Sequence, residues 1–225
     1  MKIRINFIDS VIDFETGNIY SFEIHNKKYL YRVSSLFHFI SCGEFSDEFE
    51  CYDENNNEVK LNNRIRFFTD YFEFNFDSKK YTNDITKHLI SVMEQNDNEN
   101  ILKAYYKLSK LINKALSKCE LPILVSPEED IENVIKLFKL KVQQKSDLLD
   151  NLFLIIDLEV ILNSNKILCF VNLKQYLSSE ELAEFYKYST YNSVKIIMIE
   201  STKYDYISDY EKIIIIDEEL DECMI

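Results

Sequence analysis

Apolar and polar residues alternate at the start of the chain with the period of two that marks a half-buried strand. Ile3, Ile5 and Phe7 point one way, and Ile19-Tyr20-Ser21-Phe22 and Tyr29-Leu30-Tyr31 follow after short polar turns. Residues 33–41 change to a short helical pattern. Phe49–Tyr52 and Val59–Leu61 flank the polar run Asp53-Glu54-Asn55-Asn56-Asn57, which predicts a hairpin, and aromatic residues are densest between Phe67 and Phe76. From about residue 79 the period lengthens to that of a helix. Ile85, Leu89, Val92 and Met93 share one stripe, a polar break covers Asn96–Asn100, and a longer helix follows, so the pair predicts a helical hairpin. From Ser126 onward helices alternate with short β-branched or aromatic runs: Leu140–Val142, Ile167–Val171, Val194–Ile199 and Ile213–Ile216. Such alternation predicts an α/β fold with a parallel sheet covered on both faces. Residues 1–77 and 126–225 then form the two parts of an α/β head, and residues 78–125 form a helical leg.

Composition narrows the function classes. Gly17 and Gly43 are the only glycines among 225 residues. A Walker A loop or a dinucleotide fingerprint needs several glycines to bring backbone N–H groups onto phosphate, so both are excluded. The five cysteines, Cys42, Cys51, Cys119, Cys169 and Cys223, include no CxxC pair and read as reduced core thiols of a cytoplasmic protein. The first 20 residues carry Asp9, Asp13 and Glu15, which argues against a signal peptide. No run of about 18 uncharged apolar residues predicts a membrane span. The formal net charge is −13. A nucleic-acid partner therefore requires a segregated basic patch, because the summed field repels phosphate.

Such a patch is present in the sequence. Lys103, Lys107, Lys110, Lys114 and Lys118 recur at spacings of 4, 3, 4 and 4, with no acid between them. On a helix they fall on one face, opposite Ile101, Tyr105, Leu108, Ile112 and Ala115. Two readings stay open: a cationic row for phosphates, or the solvated face of a helix whose apolar seam packs on a partner helix. Lys136, Lys139, Lys141 and Lys145 make a second acid-free run, open either to phosphate binding or to a favourable charge at a helix C-terminus.

Acids cluster at Glu128, Glu129, Asp130 and Glu132. All-oxygen clusters suit hard cations such as Ca²⁺. Ser126-Pro127-Glu128-Glu129 also fits a capping box, a role that Glu129 can fill, and Ser178-Ser179-Glu180-Glu181 repeats that pattern. Asp47 or Asp53 with Glu58 and Lys60 would imitate a metal-dependent nuclease, although hairpin tips collect such residues anyway. His25, His38 and His88 lie far apart and show no ligand or relay spacing.

Several segments resemble a known family, the ring-forming accessory proteins of spacer acquisition in type II-A CRISPR systems. The resemblance rests on Val134-Ile135-Lys136-Leu137-Phe138 leading into Leu140-Lys141-Val142, on Lys145-Ser146-Asp147 opening a helix, and on Lys166-Ile167-Leu168-Cys169-Phe170-Val171-Asn172. Tyr176-Leu177-Ser178-Ser179-Glu180-Glu181-Leu182, Ile196-Ile197-Met198-Ile199-Glu200 and, near the N-terminus, Ile5-Asn6-Phe7 with Thr16-Gly17-Asn18 extend it. The resemblance implies an α/β head that looks like a P-loop ATPase core without its phosphate loop, plus a helical leg. It also implies a homotetrameric ring that takes double-stranded DNA through its ends without catalysis, works beside other CRISPR adaptation proteins and holds Ca²⁺, with Glu128 as a carboxylate of the family. A metal-dependent nuclease and a DNA-free protein-interaction module are the alternatives.

Overall fold

The structure, a computed structural model, describes every residue except 16–17, 54, 60–63, 75, 77–78, 97, 119–131, 133–134, 136–139 and 205–207. In chain order the elements are β1 (Lys2–Ile5), β2 (Ile12–Asp13), β3 (Ile19–Ile24), α1 (Lys27–Ser41), β4 (Phe49–Tyr52), β5 (Ile65–Phe68), α2 (Lys79–Asn96) and α3 (Asn98–Lys118). They continue with α4 (Leu148–Ile161), β6 (Ile167–Val171), a 3₁₀ turn (Leu173–Tyr176), α5 (Ser179–Tyr191), β7 (Lys195–Glu200), β8 (Glu211–Ile216) and β9 (Glu222–Met224). The chain divides into two compact units, residues 1–74 with 144–225, and residues 75–143. The sequence pattern predicts these boundaries at 77/78 and 125/126.

The first unit is built on a six-stranded sheet of order β5-β6-β7-β3-β8-β9, parallel except for β9, which runs antiparallel to β8. This is the mixed α/β fold with a largely parallel sheet that strand–helix alternation predicts. All six residues of β3 are buried, as a central strand with both faces covered requires. On one face Tyr20, Phe22, Ile24, Ile197, Ile199, Ile214 and Ile216 join Val33, Leu36, Phe37 and Ile40 of α1 in one core. The small antiparallel sheet β2-β1-β4 supplies Ile3, Ile5, Ile12 and Phe49 to the same core. Phe37 stands edge-on to Phe49 with ring centroids 5.6 Å apart. Toward the other face lie the buried side chains Leu152, Ile155 and Ile156 of α4 and Leu182, Phe185 and Tyr186 of α5, and Phe170 of β6 meets Phe185 edge-on at 5.8 Å.

Two expected strands are not strands. Tyr29-Leu30-Tyr31 lies in α1, because Asn26 accepts from the backbone N–H groups of Lys28 and Tyr29 at 3.1 Å and starts a helix there. Val33, Leu36, Phe37 and Ile40 then bury one helical stripe, which outweighs three residues of apparent alternation. Leu140–Val142 is irregular, and β6 pairs with β5 and β7. Its exposed Lys141 lies between the half-buried Leu140 and Val142. The hairpin after β4 is present in part: Tyr52 bridges Glu58 and Val59 N–H donates to Cys51 O at 2.8 Å, while residues 60 and 61 lie outside the described residues.

A chain with two glycines must put other residues in left-handed turns. Gly43 (φ 89°), Asn163 (φ 45°) and Ser193 (φ 55°) each follow a helix, α1, α4 and α5 in turn. The paired bonds are those of a Schellman motif: Gly43 N–H to Ile40 O and Glu44 N–H to Phe39 O, Asn163 N–H to Val160 O and Ser164 N–H to Glu159 O, Ser193 N–H to Thr190 O and Val194 N–H to Ser189 O. Asparagine tolerates the left-handed region better than most residues with a Cβ, which explains Asn56, Asn165 and Asn172 at φ 58°, 49° and 57°.

In the second unit, α2 and α3 pack on each other. The polar break expected over Asn96–Asn100 is narrower, since Asn98, Glu99 and Asn100 already belong to the first turn of α3, where the Glu99 carboxylate faces the positive end of the helix dipole.

Candidate functional site

The lysine row lies on α3. At about 100° per residue, Lys103, Lys107, Lys110, Lys114 and Lys118 span an arc of about 80°, and all five are exposed. Lys103 is engaged by Glu99, one turn before it, at 2.6 Å. The acid-free stretch therefore begins too late to leave that lysine unpaired. On the opposite side Ile101 and Tyr105 are half-buried, whereas Leu108 and Ile112 are exposed, and Leu111 beside them is 60% exposed. The seam is thus partly covered at Ile101 and Tyr105 and exposed from Leu108 onward, an apolar surface that single soluble chains seldom leave wet. Of the second basic run, Lys141 and Lys145 are exposed, and Lys136 and Lys139 lie outside the described residues. The backbone of Lys145 is tied to Asn151: Lys145 N–H donates to its Oδ1 at 2.8 Å and Asn151 Nδ2 donates back to Lys145 O at 2.9 Å. Beside it Asp147 caps α4, as the sequence expects of a helix opening there.

Of the acidic group, Glu132 is helical and half-buried, whereas Glu128, Glu129 and Asp130 lie outside the described residues, together with the expected Ser126 cap. Among the described residues no three His, Cys, Asp or Glu side chains stand close enough to hold a metal ion. The second capping box is formed, with Ser178 Oγ accepting from Glu181 N–H and Glu181 accepting from Ser178 N–H at 2.7 Å.

In the nuclease-like hairpin one of the two alternative aspartates, Asp53, is taken up by the turn. Asp53 Oδ1 accepts from Asn55 and Asn57 N–H at 2.8 Å, and its Oδ2 accepts from Asn57 Nδ2 at 3.1 Å. These bonds hold the carboxyl below its ordinary range. Lys60, the expected partner, lies outside the described residues. Of the aromatic run, Tyr71, Phe74 and Phe76 are buried, whereas Phe72 is 86% exposed and meets Tyr176 edge-on at 6.0 Å. The thiols divide as well: Cys51 and Cys169 are buried core groups, Cys51 raised to about 11 by burial, whereas Cys42 and Cys223 are exposed. The core reading of those two is corrected by their places at the end of α1 and on the edge strand β9.

Beneath the sheet, on the face carrying Ser21, Glu23 and Glu200, sits a cluster that sequence periodicity does not reveal. Lys174 Nζ stands 2.9 Å from Glu211 Oε2 and 3.9 Å from Glu23 Oε1, and its side chain is wholly buried. Lys174 N–H donates to Glu200 Oε1 at 3.2 Å, and Tyr186 OH donates to Glu211 Oε2 at 2.9 Å. Burial raises Glu23 against the pull of Lys174, and it pushes Glu200 up to about 8. The only sequence signal is a set of glutamates interrupting apolar strands, ordinarily read as strand ends. In open α/β sheets, ligands bind beyond the carboxyl ends of the strands where the strand order reverses. Here β7 and β8 flank β3; Glu23 and Glu200 sit side by side toward the carboxyl ends of β3 and β7, whereas Glu211 opens β8 at its amino end and reaches Lys174 from there.

A family model described as "CRISPR-associated protein (Cas_Csn2)" matches residues 44–220. Among solved structures, the chain is similar to the crystal structure of Stu0660 of Streptococcus thermophilus. The TM-score is 0.66 at 15% identity, over 96% of this chain and 74% of that one. No curated protein matches the sequence.

Proposed function

Since the chain belongs to the Csn2 family of CRISPR-associated proteins, we propose that it serves CRISPR adaptation as a non-catalytic, cytoplasmic binder of double-stranded DNA ends, assembled as a homotetrameric ring. The observation that carries this reading is the lysine row of α3, a concentrated cationic face in a chain of net charge −13. Lysines act as point charges for phosphate oxygens and read no base edges, so binding is independent of sequence. The uncovered row of Leu108, Leu111 and Ile112 supports association of copies through the same helix. The lack of a glycine-rich loop and the occupied Asp53 both favour a role without catalysis. Lys136, Lys139, Lys141 and Lys145 are a second phosphate-binding set in this reading. Glu128, Glu129, Asp130 and Glu132 would hold Ca²⁺, their all-oxygen donor set being suited to a hard cation. The ion would supply charge neutralisation between carboxylates that otherwise repel.

Binding of linear and closed-circular duplexes over a range of salt tests the proposal. Changing Lys107, Lys110, Lys114 and Lys118 to Gln is expected to flatten the slope of log affinity against log salt by about 0.9 for each phosphate that is no longer neutralised. An unchanged slope removes the α3 row from the interface. Equal affinity for circles and linear fragments removes entry by an end.

A further inference from the structure

Glu23, Glu200 and Glu211 bring three carboxylates into the interior of the α/β unit, each at most 7% exposed, against the single ammonium of Lys174. Fully ionised, the group would carry two negative charges in excess of the ammonium out of water, where unpaired ions are strongly disfavoured. Among the described residues, Lys174 makes ion pairs with Glu23 and Glu211 only, and it meets Glu200 through its backbone N–H. Among the described residues, Glu23 Oε1, Glu200 Oε2, Glu211 Oε1 and Ser21 Oγ are buried without a hydrogen-bond donor. The other titratable groups facing the cluster are His25, Tyr71, Tyr186 and Tyr204. The three Tyr groups are raised by burial and stay neutral, so they add no further negative charge.

We propose that this cluster is a proton-binding site, in which the three carboxylates around Lys174 keep a proton at neutral pH, carried by Glu200, the member without an ammonium partner. The titration belongs to the coupled group, with Glu200 as its main carrier. Burial as the leading cause raises the same carboxyl, in agreement with the charge count. The unfolded chain releases this proton above the ordinary carboxylate range, whereas the folded chain keeps it to about pH 8. The stabilisation is therefore full in acid and is lost as pH rises through the folded value. Loss of the proton is expected to loosen the packing of β3, β7 and the Lys174 turn on one another, making the α/β unit weaker in mild alkali than in mild acid.

Urea unfolding of the full chain in EDTA, at intervals from about pH 6 to about pH 9, tests this against Glu200→Gln. The amide keeps the shape of the neutral acid and an acceptor for Lys174 N–H. Relative to the variant, the folded-to-unfolded ratio of the unsubstituted chain is expected to fall by up to about tenfold per pH unit below about pH 8. Parallel curves overturn the proposal. Should the variant not fold, carboxyl ¹³C NMR of the unsubstituted chain decides: a glutamate still protonated at pH 7 supports the site, and glutamates all ionised by pH 6 overturn it.

Discussion

Glu159 shows how much one buried polar residue can decide. It is buried in α4, its Oε1 accepts from Arg66 Nε of β5, and its Oε2 accepts from Ser164 Oγ. Neither charge can be read as an ion pair from the sequence, since 93 residues separate them. Removing one of the two takes an ionic counterpart from a charge that stays away from water, whereas removing both removes the pair together. Glu159→Leu is therefore expected to cost about 3–5 kcal/mol in urea unfolding, and adding Arg66→Met is expected to recover most of that loss. Additive losses in the double variant would show that the two side chains do not act as a pair.

Among the elements, the helix ends carry the clearest consequence of glycine scarcity. Gly43 ends α1 at φ 89°, where glycine has no Cβ to clash, but Ser193 takes the same role after α5 at φ 55°. A β-carbon in the left-handed region costs about 1–2 kcal/mol. Ser193→Gly is expected to offset part of this, raising stability by about 1 kcal/mol and Tm by roughly 2–4 °C on thermal unfolding followed by circular dichroism. A lower Tm would mean that the serine side chain contributes more than the turn geometry costs. Helix starts, by contrast, are legible along the chain: Asp147 caps α4, and Ser178 with Glu181 forms the capping box of α5. Caps are local chemistry, decided within four residues.

For the whole molecule, the proposed Ca²⁺ and assembly make one measurable expectation. Ligands that bind only the folded state stabilise it by mass action. Millimolar Ca²⁺ is thus expected to raise Tm by calorimetry, and Glu128→Gln is expected to blunt the rise. A Tm unmoved by Ca²⁺ or EDTA removes the metal from the reading. Sedimentation in Ca²⁺ is expected to show a tetramer, with Leu111→Asp shifting it toward smaller species, because a charge in the exposed apolar row must be desolvated on association. Sedimentation of the unsubstituted chain as a monomer would leave that row a solvated face.

What the sequence determined by itself is what depends on neighbours along the chain. The strands Ile167–Val171 and Ile213–Ile216, the helical pair over residues 79–118, the caps at Asp147 and Ser178, and the lysine row of α3 all follow from periodicity and short-range hydrogen bonding. The absence of a phosphate loop follows from two glycines. Tertiary structure alone decided that Leu140–Val142 stays out of the sheet, and that the buried stripe from Val33 to Ile40 outweighs the strand-like alternation of Tyr29-Leu30-Tyr31. It alone gathered Glu23, Glu200 and Glu211, up to 188 positions apart, around Lys174, whose ammonium meets Glu23 and Glu211 and whose N–H meets Glu200. The physical reason is that strand order and side-chain facing are set by which apolar surfaces bury one another. A charge becomes a buried partner only when the sheet has brought a second charge within reach of it.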